Sequence, residues 1–298
     1  MRRSLITLLL IIACCSAANA GVVGRGRGII SFGGITPDAY WTPSWIGYLV
    51  GYWSMDSTNA AGWRTDGSVY TNHAAPFPSV GALNGFTLIG TNSLGREEYC
   101  QTIDDGEYVS PLDQDQHTFT LTNNVADSKF SMCAWVWDSD VTVARMVMCK
   151  NANGALQEWQ LNVTTIYGTN GRVALIIRNS GDGSPNYIVS SAEQVITNNT
   201  WHHIAATYDP VSGTTNDIQL YVDGTKVGKR DDLSGGSYVA MQNTSQRPTF
   251  GRFGAAGQNF IGFLDEIFIA SNYTWNASEV TEVMTKSSRE NNLVKRPF

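Results

Sequence analysis

The sequence predicts an all-β protein, a two-sheet antiparallel β-sandwich or jelly roll. Three observations predict it. Apolar and polar residues alternate with a period of two in several stretches, including "FSMCAWVWD" at 130–138 and "DIQLYVD" at 217–223. Gly, Asn and Asp clusters separate these stretches at short intervals, and the chain holds 29 glycines. Strand patterns do not alternate with long helical ones, which argues against a parallel α/β sheet.

The chain opens with a targeting pattern. Arg2 and Arg3 precede the apolar run "LITLLLIIA", which is too short to span a bilayer, and "ANA" at 18–20 supplies small residues before Gly21. This reads as a signal peptide over 1–20 and predicts a secreted, extracellular protein. A lipobox-like "IIAC" offers the alternative of a chain lipid-anchored at the cell envelope through Cys14. Residues 21–48 are Gly-rich and lack periodicity up to about Trp45, so they form a leader, either mobile or packed as an arm.

The strands follow, and the predicted domain covers 49–282. "IGYLVGYWSMD" ends at Asp56 and leads into a loop carrying "RTDGS". "VARMVMCKN" comes a short turn after "FSMCAWVWD", and "LQEWQLNVT" and "GRVALIIRNS" flank a Gly-Thr-Asn-Gly turn. In "DIQLYVDGTKVGK", Ile218, Leu220 and Val222 share a face, and Asp223-Gly224 is a type I′ hairpin signal because both positions need positive φ. "NFIGFLDEIFIAS" is the last strand. "NASEVTEVM" reads as one short helix with a polar N-cap region, with a tail assigned to 283–298.

Composition restricts the function. A net charge of -6 with no basic patch excludes nucleic acid as a partner, since a polyanion requires clustered Lys and Arg. Only 15% of residues are charged while 11% are aromatic, a balance suited to stacking and hydrogen bonding at an extracellular surface. Of five cysteines, Cys14 and Cys15 belong to the signal. The export route permits one disulfide among Cys100, Cys133 and Cys149, and Cys133–Cys149 is the expected pair, on strands read as neighbours.

The ordered set "GYWSMD", "DDGEYVS", "FSMCAWVW", "WHHIAATYD", "LYVDGTKV" and "FIGFLDEIFI" resembles the LamG-like jelly-roll domain of the concanavalin A-like lectin/glucanase superfamily. The resemblance spans roughly residues 49–282 and implies two packed antiparallel sheets, one concave and one convex.

Adjacent strand residues face opposite ways, so His202 and His203 cannot converge on one metal; one is expected packed and one at the surface. Retaining glycoside hydrolysis needs two carboxyl groups about 5 Å apart on one face. The Glu-x-Asp-x-x-Glu pattern of related glucanases is absent, and a divergent hydrolase or lyase stands only as an alternative. The resemblance also implies a structural calcium where the first strand, its following loop and the last strand meet, at Asp56, Asp66 and Asp265. As turn residues and a strand-end hydrogen-bonding group, these three have a second, purely local reading.

For glycan contact the candidates are Trp159 with Gln157 and Gln160, and Trp137 with Asp138, followed by Arg178 and Tyr187. Trp159 has the alternative of a core residue, and Trp135 is the tryptophan expected in the core. The leading expectation is a non-catalytic module binding a glycan or extracellular surface. A structural or adhesion subunit, docking a protein partner or a copy of itself through the leader, is the rival.

Overall fold

The computed structural model describes residues 43–58, 64–66, 72, 74–77, 86–91, 97–103, 108–111, 119, 121–122, 125–151, 157–165, 169–179, 186–211, 217–234, 238–252 and 258–287. The signal peptide, most of the leader and the end of the tail therefore lie outside the described residues. Strands are β1 Leu49–Thr58, β2 Arg64–Asp66, β3 Ala74–Phe77, β4 Phe86–Thr91, β5 Glu97–Ile103 and β6 Tyr108–Pro111. They continue as β7 Phe130–Asp138, β8 Arg145–Asn151, β9 Gln157–Thr164, β10 Arg172–Arg178, β11 Asn186–Ser191 and β12 Trp201–Tyr208. The last are β13 Ile218–Val222, β14 Thr225–Lys226, β15 Lys229–Ser234, β16 Pro248–Phe250 and β17 Gly262–Ser271, followed by helix α1, Ala277–Ser287.

The strands form two antiparallel sheets, as predicted. In the first, the order is β14, β13, β12, β7, β17; the far edge of β17 is shared by β5, from Gly262 to Leu264, and β1, from Ile267 to Ala270. In the second it is β15, β11, β10, β9, β8, β16, β6, β3. Strand β2 pairs with both β1 and β3 and joins the layers along one side.

Alternation builds the core. Phe130, Met132, Ala134 and Val136 of β7, with Ile204, Ala206 and Tyr208 of β12, face Trp159, Leu161 and Val163 of β9 and Val173, Leu175 and Ile177 of β10. The opposite face of the first sheet is also apolar. Cys133, Ala205, Tyr221, Phe268 and Ala270 lie there beneath Val280 and Val283 of α1 and beneath Trp45, Ile46 and Trp275. The end of the predicted leader is thus packed. Asn276 caps α1 by accepting from the Ser278 and Glu279 amides, and Glu279 accepts in return from the Asn276 amide. This reciprocal cap contributes about 1 kcal/mol.

Three expectations need correction. Strands β7 and β8 are consecutive but belong to different sheets. Both Cys133 and Cys149 are free and buried, Cys133 under α1 and Cys149 hydrogen-bonded to Thr249 and the Arg252 carbonyl. Trp135 is buried on the outside of the first sheet, its Nε1 donating to Ser287 Oγ at 3.1 Å; Trp53 and Trp159 fill the inter-sheet core. The helix continues to Ser287, so a tail beginning at 283 would cut through it.

The Asp223-Gly224 turn is as expected, with φ of 49° and 73° linking Val222 to Thr225. Gly262, at φ 151°, permits a close approach of β17 to β7. A Cβ there would stand 2.0 Å from the Trp137 carbonyl oxygen.

Candidate functional site

The two histidines separate as strand geometry requires. His203 is fully buried beside Trp135, ring centroids 5.4 Å apart, and neither ring nitrogen has a hydrogen-bond partner. Burial pushes its pKa down to about 3, with the Asp223 charge acting weakly the other way. His202 lies at the edge, its Nδ1 2.8 Å from Asp223 Oδ2 and its Nε2 against Thr197. The pair is framework.

The proposed calcium ligands do not assemble into a cradle among the described residues. Asp66 is buried and accepts the Tyr52 amide on one carboxylate oxygen at 2.8 Å and the Asn72 amide on the other at 2.7 Å. Asn72 in turn donates to the Val50 carbonyl and accepts from Trp53 Nε1, so Asp66 ties the loop to β1. Asp265 sits at a bulge of β17 and accepts the Glu266 amide. The Asp56 side chain lies outside the described residues. Among those described, no three His, Cys, Asp or Glu side chains are grouped so as to hold a metal ion.

The glycan candidates divide between opposite sides of the sandwich. Trp159 is fully buried in the core, its Nε1 turned to the Phe119 carbonyl, so it offers no face to a ligand. The side chains of Gln157 and Tyr187 lie outside the described residues. Trp137 is half-buried on the outside of the first sheet, where it lies opposite both Phe263 and Trp201 in register. The three rings form one row, with centroids 4.9 Å apart for Trp137–Phe263 and 6.3 Å for Trp201–Phe263. Asp138 beside it is fully buried and points the other way. Burial pushes its pKa up to about 6, while the Asp140 amide and Arg145, 3.8 Å away, act to lower it.

Arg178 belongs to a different surface, the outer face of the second sheet. Because Trp159, Leu161 and Val163 point into the core, Gln160 and Asn162 point outward; because Val173, Leu175 and Ile177 point inward, Arg172, Ala174, Ile176 and Arg178 point outward. Register aligns Gln160 with Ile176 and Ile188, and Asn162 with Ala174 and Ser190. This face therefore carries a short aliphatic strip, Ala174 to Ile176, flanked by amides on β9 and a hydroxyl on β11, all of them buried.

Same-face neighbours on a strand stand about 7 Å apart, so the two arginines bracket a strip of about 20 Å. Gln160 and Asn162 are 2% and 4% exposed, yet Gln160 Nε2 and Asn162 Oδ1 have no hydrogen-bond partner. Arg172 is braced by Ser190 Oγ, the Ser191 carbonyl and Thr169 Oγ1. Arg178 is half-buried, and burial lowers its pKa. Beyond the strip, Glu158 forms a fully buried ion pair with Lys150 at 2.8 Å and accepts from the Leu121 and Thr244 amides.

From sequence Gln160 is a glycan candidate grouped with Trp159, and Asn162 is not among the candidates. The signal was present, since "WQLNV" alternates, and placing Trp159 inward turns both amides outward.

These features define an antiparallel jelly-roll sandwich with one outer face covered by a helix and the other lined with polar and aliphatic side chains. Residues 112–281, more than half of the chain, match the Concanavalin A-like lectin/glucanases superfamily, and the chain belongs to it. Among curated proteins none matches the chain in sequence.

Solved structures share the fold. Domain 4 of AbnA, an extracellular arabinanase from Geobacillus stearothermophilus solved with arabinotriose, aligns at TM-score 0.53 and 15% identity, over 79% of this chain and 98% of that one. The binding domain of Paraclostridial Mosquitocidal Protein 1 aligns at 0.52 and 13%, over 80% and 52%. A structure of botulinum neurotoxin type C, whose cell entry is dependent upon interaction with two ganglioside molecules, aligns at 0.52 and 9%, over 82% and 52%. This chain spans about half the length of the two toxin structures.

Proposed function

We propose that this protein is a non-catalytic carbohydrate-binding module of an exported protein, and that its glycan lies along the outer face of β9, β10 and β11. The supporting observation is the pair of deeply buried amides, Gln160 and Asn162, with unmet hydrogen-bonding capacity beside the Ala174–Ile176 strip. Buried polar atoms in native proteins nearly always find partners, so this capacity is taken up by water in the free protein and by sugar hydroxyls in the complex. The arabinotriose and ganglioside named for the structural neighbours are in keeping with this reading.

A glycan array with the purified chain, Gln160→Ala and Asn162→Ala tests it. We expect a restricted set of oligosaccharides to bind, each weakened about tenfold or more by either substitution, the scale of one or two lost hydrogen bonds to a buried partner. Binding indifferent to both substitutions would move the site elsewhere. The aromatic row of Trp137, Phe263 and Trp201 favours a second reading in which sugars stack on the first sheet; Trp137→Ala would then be the damaging substitution.

A further inference from the structure

We infer that an oligosaccharide attached to the Asn162 side chain is incompatible with this fold, and that the chain is therefore exported by a route that does not glycosylate asparagine. The inference takes residues 1–20 as the export signal and is independent of which glycan the protein binds.

The sequence holds five Asn-x-Ser/Thr triplets, the acceptor pattern for asparagine-linked oligosaccharides, beginning at Asn162, Asn198, Asn243, Asn272 and Asn276. The structure sorts them. Asn198, Asn243, Asn272 and Asn276 are exposed and lie outside the strands. Asn198 engages the fold through its side-chain oxygen, which accepts the Val141 amide, and Asn276 through its own, which accepts the Ser278 and Glu279 amides. The modification falls on the nitrogen, so neither contact has to break.

Asn162 differs. An acceptor triplet in a glycosylated protein belongs to a surface loop, whereas Asn162 sits within β9, an interior strand between β8 and β10. It is 4% exposed, and its register partners Met146 and Ala174 are fully buried, as is Ser190 beyond Ala174. Thr164, which supplies the acceptor hydroxyl, is buried as well.

In the transfer, the bond from a sugar C1 to a lipid-linked diphosphate breaks and C1 bonds to Nδ2. The amide gives up one proton and the lipid diphosphate leaves. A ring held by hydrogen bonds stays about 3 Å from its partner. An attached ring must instead put C1 at bonding distance from Nδ2, between side chains packed as densely as a protein interior, and carry further rings out through them. Burial gives no protection, because the transfer acts on the exported chain before β9 has paired. The modified strand then cannot take its place between β8 and β10.

The test expresses the full chain in a eukaryotic secretory cell line and, as the unmodified reference, in bacteria. Wild type is compared with T164V, which removes the acceptor hydroxyl while leaving Asn162 in place, and with N272Q as a control at an exposed triplet. In bacteria wild type and T164V should fold alike by circular dichroism. In the secretory line wild type should be retained with Asn162 glycosylated, T164V should be secreted severalfold better, and N272Q should stay retained. Peptide mass mapping of the protein from its own source should find all five asparagines unmodified. Secretion of wild type equal to T164V overturns the inference. So does a folded wild-type chain carrying an oligosaccharide on Asn162, or an oligosaccharide on any of the five in the natural protein; these last two readouts need no variant.

Discussion

Acid should weaken this fold through His203, and the size of the effect follows from its surroundings. In the unfolded chain an imidazole titrates near its ordinary value of 6.5, whereas buried beside Trp135 its pKa falls to about 3. The folded state therefore binds fewer protons between these values. The contribution of His203 to stability is intact above pH 6.5 and is lost progressively as pH falls toward 3.

Protonating the unfolded chain at pH 5 costs the fold about 2 kcal/mol, or about 4–8 °C in melting temperature for a domain of this size. Asp138 opposes it: its raised folded pKa, about 6, gives stability at low pH that is lost as pH rises through 6. The wild-type profile alone is therefore ambiguous, and the comparison must be with His203→Phe and His203→Gln. Denaturant unfolding at pH 7.5 and pH 5 measures it. Both variants should lose about 2 kcal/mol less than wild type over that interval. Parallel profiles would refute the assignment of the acid sensitivity to this ring.

Four other outcomes are expected. Lys150→Met should destabilise by about 3–5 kcal/mol in urea unfolding, because it strands the Glu158 charge in a site with no exposure, and adding Glu158→Leu should recover part of the loss. Gly262→Ala should sharply lower soluble yield and melting temperature, since its Cβ would collide with the Trp137 carbonyl across the β7–β17 pairing. Peptide mapping without reductant should find no Cys133–Cys149 link, and both thiols should react with a maleimide only after denaturation. A chelator should leave the melting temperature unchanged within about 1 °C, given that each carboxylate oxygen of Asp66 already accepts a backbone amide; a fall of several degrees would show that an ion is held near Asp56.

The fold was legible because its signals are local. Alternation in "DIQLYVD", the Asp223-Gly224 turn and the splayed histidines need only backbone geometry. What sequence could not give was which of two apolar faces lies between the sheets. Trp135 was assigned to the core because β7 is apolar on both sides, and the reason is that α1 and Trp45 cover its outer face. The disulfide failed for a related reason, since consecutive strands can cross to the other layer without any local mark. The candidate site was half legible. Sequence marks Arg178 and Gln160, but the large ring of Trp159 points to the other side of its strand. Long-range ties left no trace at all, such as Asp127 accepting from the Tyr208 and Tyr238 hydroxyls and the Met241 amide.

The bond from Trp135 to Ser287 has a practical consequence. It fastens an indole of the central strand to the final turn of the only α-helix among the described residues, so the emission of that fluorophore senses whether the helix is seated. A chain that sheds α1 while keeping its sheets would declare itself by a red-shifted spectrum before any change in β-sheet dichroism. The molecule thus carries its own optical gauge of partial unfolding.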